Sequence, residues 1–249
     1  VGSKICLLKS ATKQLPHLCI HYVKTPIKHK IIFSLLGILL FNIGFGQEKK
    51  TLEANLNKEL VTLLDSIHQE DQKYREESQK LEQKYGHNSK EKEDIWKIID
   101  IKDSMNLVAV EKILDEKGWL GADIVGETGN TTLFLVIQHA DIETQIKYLP
   151  MLREAVKKGN AKASHLALME DRVLIAQGEK QIYGSQLEMD FITRKYVLSP
   201  MIDPDNVDKR RAEVGLKPIV EYLKYWDLTW DVEKFKKRMK EYDSERNRK

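Results

Sequence analysis

The chain has 249 residues, 41% of them hydrophobic and 32% charged, which is enough apolar material for one core of ordinary size without disulfide staples. The formal net charge of +3 comes from residues 1–46, which hold six lysines and no acid; the remainder carries 35 basic against 38 acidic residues. A mildly acidic body with scattered charges argues against a nucleic-acid binder, which would need a clustered basic face.

Residues 31–45 form an apolar run preceded by Lys28 and Lys30, with Gly44 and Gly46 at the −3 and −1 positions of a cut before Gln47. A basic start, a short apolar middle and a small-residue exit predict a signal peptide over 28–46 and a secreted or periplasmic protein. As a helix the run rises roughly 22 Å, short of the ~30 Å hydrocarbon core, so a membrane anchor is the weaker reading and no span is expected after cleavage. Residues 1–27 form an upstream leader to which no fold or function is assigned. Both cysteines, Cys6 and Cys19, lie in it, so the mature domain, 47–249, has no thiol nucleophile and no thiolate metal site.

In the mature chain, Leu52, Leu56, Leu60, Leu63, Leu64 and Ile67 recur at steps of three and four and predict an amphipathic helix over 51–85. Its charged second half, from Asp71, is expected to run along the surface. Asn88 or Ser89 should cap a second helix that ends at Gly118, with Glu91 as the capping-box partner of Asn88. The stretch GWLGADIVGETGN then reads as a shaped loop, and Asn130 as the cap of a short helix ending at His139. Asp141 should open the next helix, which Pro150 would kink and Gly159 would close. Ser164 is the expected cap of another helix, closed by Gly178. Strand composition near 181–201 predicts one small β-hairpin. A helical turn in DPDNVDKRRAEVG, a helix started by Pro218 and a charged last helix over 232–242 complete a mainly α, single-domain chain.

The polar residues at the end of FLVIQHAD need a separate account. Gln138, His139 and Asp141 share one tight turn. A carboxylate beside an imidazole fixes its tautomer and raises its pKa, as a general acid or base requires. The plainer account is that Asp141 is an N-cap and His139 favours a helix C-terminus. Asp171 and Arg172 lie between Leu168 and Ile175 on one flank of a helix; Arg172 suits an anionic group and Asp171 could orient a histidine, or the pair is a structural tie. Tyr183, Gly184, Ser185 and Gln186 form either a pocket lining or a hairpin corner. Asp71 and Arg75 sit at i and i+4, and Asp103 and Asn106 at i and i+3; read alone, both are surface pairs. His139, Asp141 and Asp171 could supply nitrogen and oxygen metal ligands, but they lack the spacing of a metal motif, so no metal and no cofactor is expected.

Taken together, GW, QHAD, DR, YGSQ and the run DPDNVDKRRAEVGL resemble a bacterial family known only as a domain of unknown function. The similarity runs from the Asp71 region to Tyr222, a motif core of about 68–224. Leu120 stands where the resemblance implies a proline, and Ser185 keeps the hydroxyl of a Thr/Ser position. The family implies a domain and no reaction. Its motif positions are Asp71, Gln72, Arg75, Gln138, His139, Asp141, Asp171, Arg172, Tyr183, Gln186, Arg210 and Arg211. Polar side chains from such distant segments are expected to meet in one cleft. The first functional reading is a hydrolase or lyase with His139 as general acid/base, oriented by Asp141 or Asp171, the other motif residues binding substrate. The alternative is a ligand-binding or interaction domain, its partner a small molecule or peptide, in which the cluster is structural or recognises an anionic ligand.

Overall fold

The structure, a computed structural model, describes residues 55–86, 89–190 and 195–246. The leader, the apolar run 31–45, both cysteines and Asn88 lie outside the described residues. Among those described, the chain is mainly α-helical with one two-stranded antiparallel hairpin, as the periodicity implies. No helix among them is long and apolar enough to cross a membrane.

Five helices build the larger core. Helix α1, Lys58–Tyr85, starts where Asn57 accepts a hydrogen bond from the Leu60 N–H, and α2, Lys90–Lys117, starts where Ser89 does the same for Lys92. The capping role expected of Asn88 or Ser89 falls to Ser89. Helix α3, Ala122–His139, packs on both α1 and α2, α4, Ile142–Lys157, packs on α3, and α5, Ala163–Ala176, packs on α4. Leu64, Val110, Leu114, Leu133, Phe134, Ile137, Leu152 and Met169 are the centre of this core.

Several local expectations are corrected. The glycine-rich stretch is not a loop: α3 already begins at Ala122, turning through a kink at Gly126, whose φ of 73° is left-handed. Asn130 is not a cap but a buried tie, donating to the carbonyls of Leu120 and Asn160 at 2.8 and 2.6 Å. Gly129 lets α3 come close to α1, because a Cβ there would stand 3.2 Å from Leu64 Cδ1. Helix α4 does run through Pro150 to Lys157, as expected. Helix α5 begins after Lys162 with no side-chain cap, which leaves Ser164 inside the first turn. The charged half of α1 is not a surface strip, since Asp71, Arg75 and Ser78 are buried.

The second core lies after α5. Strands β1, Leu187–Met189, and β2, Tyr196–Leu198, pair Leu187 with Leu198. They pack with a 3₁₀ turn at Pro204–Asn206 and with helices α6, Val207–Glu213, α7, Ile219–Lys224, and α8, Val232–Arg246. Leu187, Leu198, Met201, Ile219 and Leu223 are its buried residues, with Phe235 and Met239 from α8.

Gly184 is the tightest point of this second core. Its φ is 68°, and a Cβ would stand 2.9 Å from Ile219 Cδ1 and 3.0 Å from Met201 Sδ. Gly184→Ala meets both backbone strain and overpacking and should lower stability by about 2–4 kcal/mol in urea unfolding. Gly178→Ala, left-handed too but with open space around it, should cost about 1 kcal/mol.

Candidate functional site

The motif residues fall into two hydrogen-bonded networks joined through α5. The first is built on α1. Asp71 and Arg75 sit one turn apart on its buried face, Asp103 comes from α2, and His139 is the last residue of α3. His139 Nδ1 lies 2.9 Å from Asp71 Oδ1, and Gln72 donates to Asp71 Oδ2 at 2.6 Å. Arg75 Nη2 donates to both oxygens of Asp103, at 2.6 and 2.7 Å, and reaches Asp71 Oδ1 at 3.4 Å. The partner of His139 is therefore Asp71 rather than Asp141 or Asp171.

Asp141 instead caps α4, accepting from the Thr144 N–H at 2.8 Å. The QHAD turn is closed from behind. Gln145 donates to the carbonyls of Gln138 and Ala140, and Arg172 Nη1 donates to Gln138 O at 3.0 Å. These bonds satisfy the carbonyl groups that a helix C-terminus leaves without partners. His139 is not open to solvent, as its side chain is only 4% exposed.

Charge follows from burial. Burial pushes the Asp71 carboxyl up, but His139, Arg75 and Gln72 outweigh it and hold it well below the usual carboxylate range. Burial raises Asp103 against the pull of Arg75 and His139. Burial lowers His139 against the opposing pull of Asp71. Burial also lowers Arg172, to about 10, and the nearby Arg75 guanidinium pushes it the same way. Among the described residues Arg172 makes no ion pair with a carboxylate, yet Arg75, Arg172, Asp71 and Asp103 together sum to zero charge.

The second network is structural. Asp171, fully buried, accepts from the backbone N–H groups of Ile182, Tyr183 and Ser185 at 2.7 to 3.2 Å. Arg210 donates to the carbonyls of Ile182, Ile202 and Asp203, and Arg211 to those of Tyr183, Gly184 and Lys217. Gln181 bridges Gln186 and Ser199, and the Tyr222 hydroxyl donates to Ser185 O at 2.7 Å. The Gln186 side chain is buried against Ser185 Oγ. Every side chain of the DR, YGSQ and RR motifs that makes these bonds clamps one loop.

A cleft opens beside the first network. About 190 Å³ in volume, it is lined by Arg75, Ser78, Gln79, Glu82 and Gln83 of α1, Lys92 and Trp96 of α2, and Tyr196, Tyr225 and Trp226. Lys92 is ion-paired with Glu82. Arg75 is shared between network and cleft wall, and its Nε and Nη1 have no hydrogen-bond partner among the described residues. His139, Asp71 and Asp103 do not line the cleft.

Of the cleft residues the sequence singles out Arg75 alone, because Trp96, Tyr196 and Trp226 look like ordinary core aromatics. It named Asp103 only as a helix-surface residue, since its partner is 28 positions away. The metal ligands considered from sequence, His139, Asp141 and Asp171, do not converge. His139, Asp71 and Asp103 do, with ligand atoms within 4.8 Å of one another, but Arg75 Nη2 already occupies both carboxylates. A divalent cation would have to displace that guanidinium.

Residues 55–234 match a family described as a family of unknown function (DUF6624). The chain belongs to that family. No curated protein and no solved structure matches it. The family's domain thus contains both networks and the cleft.

Two measurements follow from this electrostatic arrangement. Asp71→Asn strips the charge between Arg75 and His139 and should cost about 3–5 kcal/mol in urea unfolding. His165, stacked on Phe134 with ring centroids 4.1 Å apart, is held down by burial to about 4 from an ordinary 6.5. Between those values the unfolded chain takes up a proton that the folded chain refuses. Stability is therefore full above pH 6.5 and falls by about 3 kcal/mol as pH drops towards 4. In His165→Phe the fall between these pH values should shrink to the part that His139 contributes, as read by thermal unfolding at a series of pH values.

Proposed function

We propose that this domain is a binding module for a small, oxygen-rich ligand seated in the cleft between α1, α2 and the aromatic side chains of the second core. The observation that carries the reading is Arg75, a buried guanidinium in the cleft wall with two nitrogens lacking acceptors. Buried donors without acceptors are costly, and a ligand oxygen that reached them by a small displacement of the wall, since both nitrogens are sealed from solvent, would relieve the cost. The walls suit a ring with apolar faces, because Trp96, Tyr196, Tyr225 and Trp226 offer stacking surface, while Gln79 and Gln83 offer amide donors and acceptors.

Charge favours a neutral ligand over an anion. Asp71 and Asp103 more than offset Arg75, with Arg172 bringing the cluster to zero, and Glu82 already neutralises Lys92. A net anion would gain little Coulomb attraction in such a site. The His139–Asp71 pair then acts on the ligand only indirectly, by holding Asp71 where it fixes Arg75. The lysine-flanked apolar run over 31–45 supports export of the domain from the cytoplasm.

The Asp71–His139 hydrogen bond favours one second reading, a hydrolase or lyase. A neutral imidazole oriented by an ionised carboxylate is a competent base. Its weakness here is access, because the ring is buried and outside the cleft.

The test is titration with neutral mono- and disaccharides, and with small carboxylates for comparison, followed by tryptophan emission. A neutral sugar should perturb the emission of wild type, and Trp226→Leu or Gln79→Ala should weaken its binding at least about tenfold. If neither class of compound changes the emission, the binding reading fails. If the bound compound is consumed by wild type and not by His139→Gln, the enzyme reading replaces it.

A further inference from the structure

Helix α2 carries a surface that its own fold leaves uncovered. Its inward face holds Ile95, Ile99, Val110, Ile113 and Leu114. Four further large apolar side chains, Ile98, Ile101, Met105 and Val108, are 40, 62, 62 and 71% exposed, whereas Trp96 and Leu107 are partly buried. At about 100° per residue, these four lie roughly 140° round the helix from the inward face, where a monomer would place charge. They recur at steps of three, four and three, the spacing by which one helix packs along another. Single exposed apolar residues are ordinary, but a continuous stripe of four marks an interaction surface.

The ends of the stripe identify the partner. Asp94 stands four residues before Ile98 and Lys112 four residues after Val108, both on the same line and both exposed. The stripe is thus acidic at its N-terminal end and basic at its C-terminal end. A second copy laid antiparallel about a twofold axis at the level of residue 103 places Ile98 on Val108 and Ile101 on Met105. The same register places Asp94 of each copy on Lys112 of the other. A parallel copy would oppose acid to acid and base to base. Self-complementarity about a twofold axis is what a symmetric dimer requires. The one competing contact of Asp94, with Lys97 of its own helix at 3.0 Å, is solvent-exposed and weak.

We propose that the α2 stripe is the interface of a homodimer with antiparallel α2 helices, in which Asp94 and Lys112 set the direction. The cleft stays open in this dimer. Lys92 and Trp96, which line it, project from the side of α2 opposite the stripe.

Sedimentation equilibrium of the purified chain tests the interface, with circular dichroism of each variant as the check on folding. Wild type should be dimeric at micromolar concentration. Ile101→Asp combined with Val108→Asp should keep its helix content, since both positions face solvent, and weaken the dimer about 100-fold or more. Asp94→Lys should weaken it about tenfold, and D94K/K112D should return it close to wild type because the charges again oppose correctly. A wild-type monomer at tens of micromolar overturns the proposal. So does a dimer indifferent to the double aspartate variant, or a D94K/K112D chain no tighter than D94K alone.

Discussion

The carboxylate of Asp171 is the constraint on which the second half of the structure rests. A fully buried anion normally carries a heavy desolvation cost, and here burial does raise the carboxyl against the pull of its donors. Three backbone N–H groups offset that cost. They fix residues 182–185 in a shape that sends the chain into β1 and lets α6 and α7 close over it. Arg210 and Arg211 satisfy the outward carbonyls of the same loop, so both polar faces of the backbone are accounted for. The backbone of the loop is thus largely committed to the protein's own side chains.

The first network has the opposite character. Its hydrogen bonds are short, its charges nearly cancel, and yet it leaves donors unmatched on Arg75 and the Gln138 side-chain oxygen unmatched as well. A structural tie alone would be expected to use these atoms. The two clusters that looked alike as polar motifs therefore divide the work. One holds a loop, and the other holds a guanidinium at the edge of a cleft.

How far the sequence could be read followed the range of each interaction. Caps and stops at Ser89, Asp141, Gly118, Gly159, Gly178 and Gly215 depend on neighbours within one turn, and these local signals place the helix ends closely, whereas the first helix starts after Asn57 and not at residue 51. The hairpin near 181–201 was legible from composition. Failures came where distant contacts decide. Asn130 resembles a cap, but its amide ties two carbonyls from segments ten and thirty residues away. Asp71 and Arg75 resemble a surface pair until Asp103 and His139 arrive from other helices. The polar motif residues were recognisable as a group, but their pairing was not, since a carboxylate suited to His139 existed at three positions and only folding selects among them.

Adjacent residues on α5 serve different halves of the molecule. Asp171 holds the loop of the second core, while Arg172 holds Gln138 O at the end of α3 in the first. Side chains one residue apart diverge by about 100° around a helix, so both bonds are satisfied in only one rotational setting of α5. The helix thus behaves as a keyed shaft between the two cores. Neither core can loosen without turning the shaft against the other, and the two should be lost in one cooperative transition rather than in sequence.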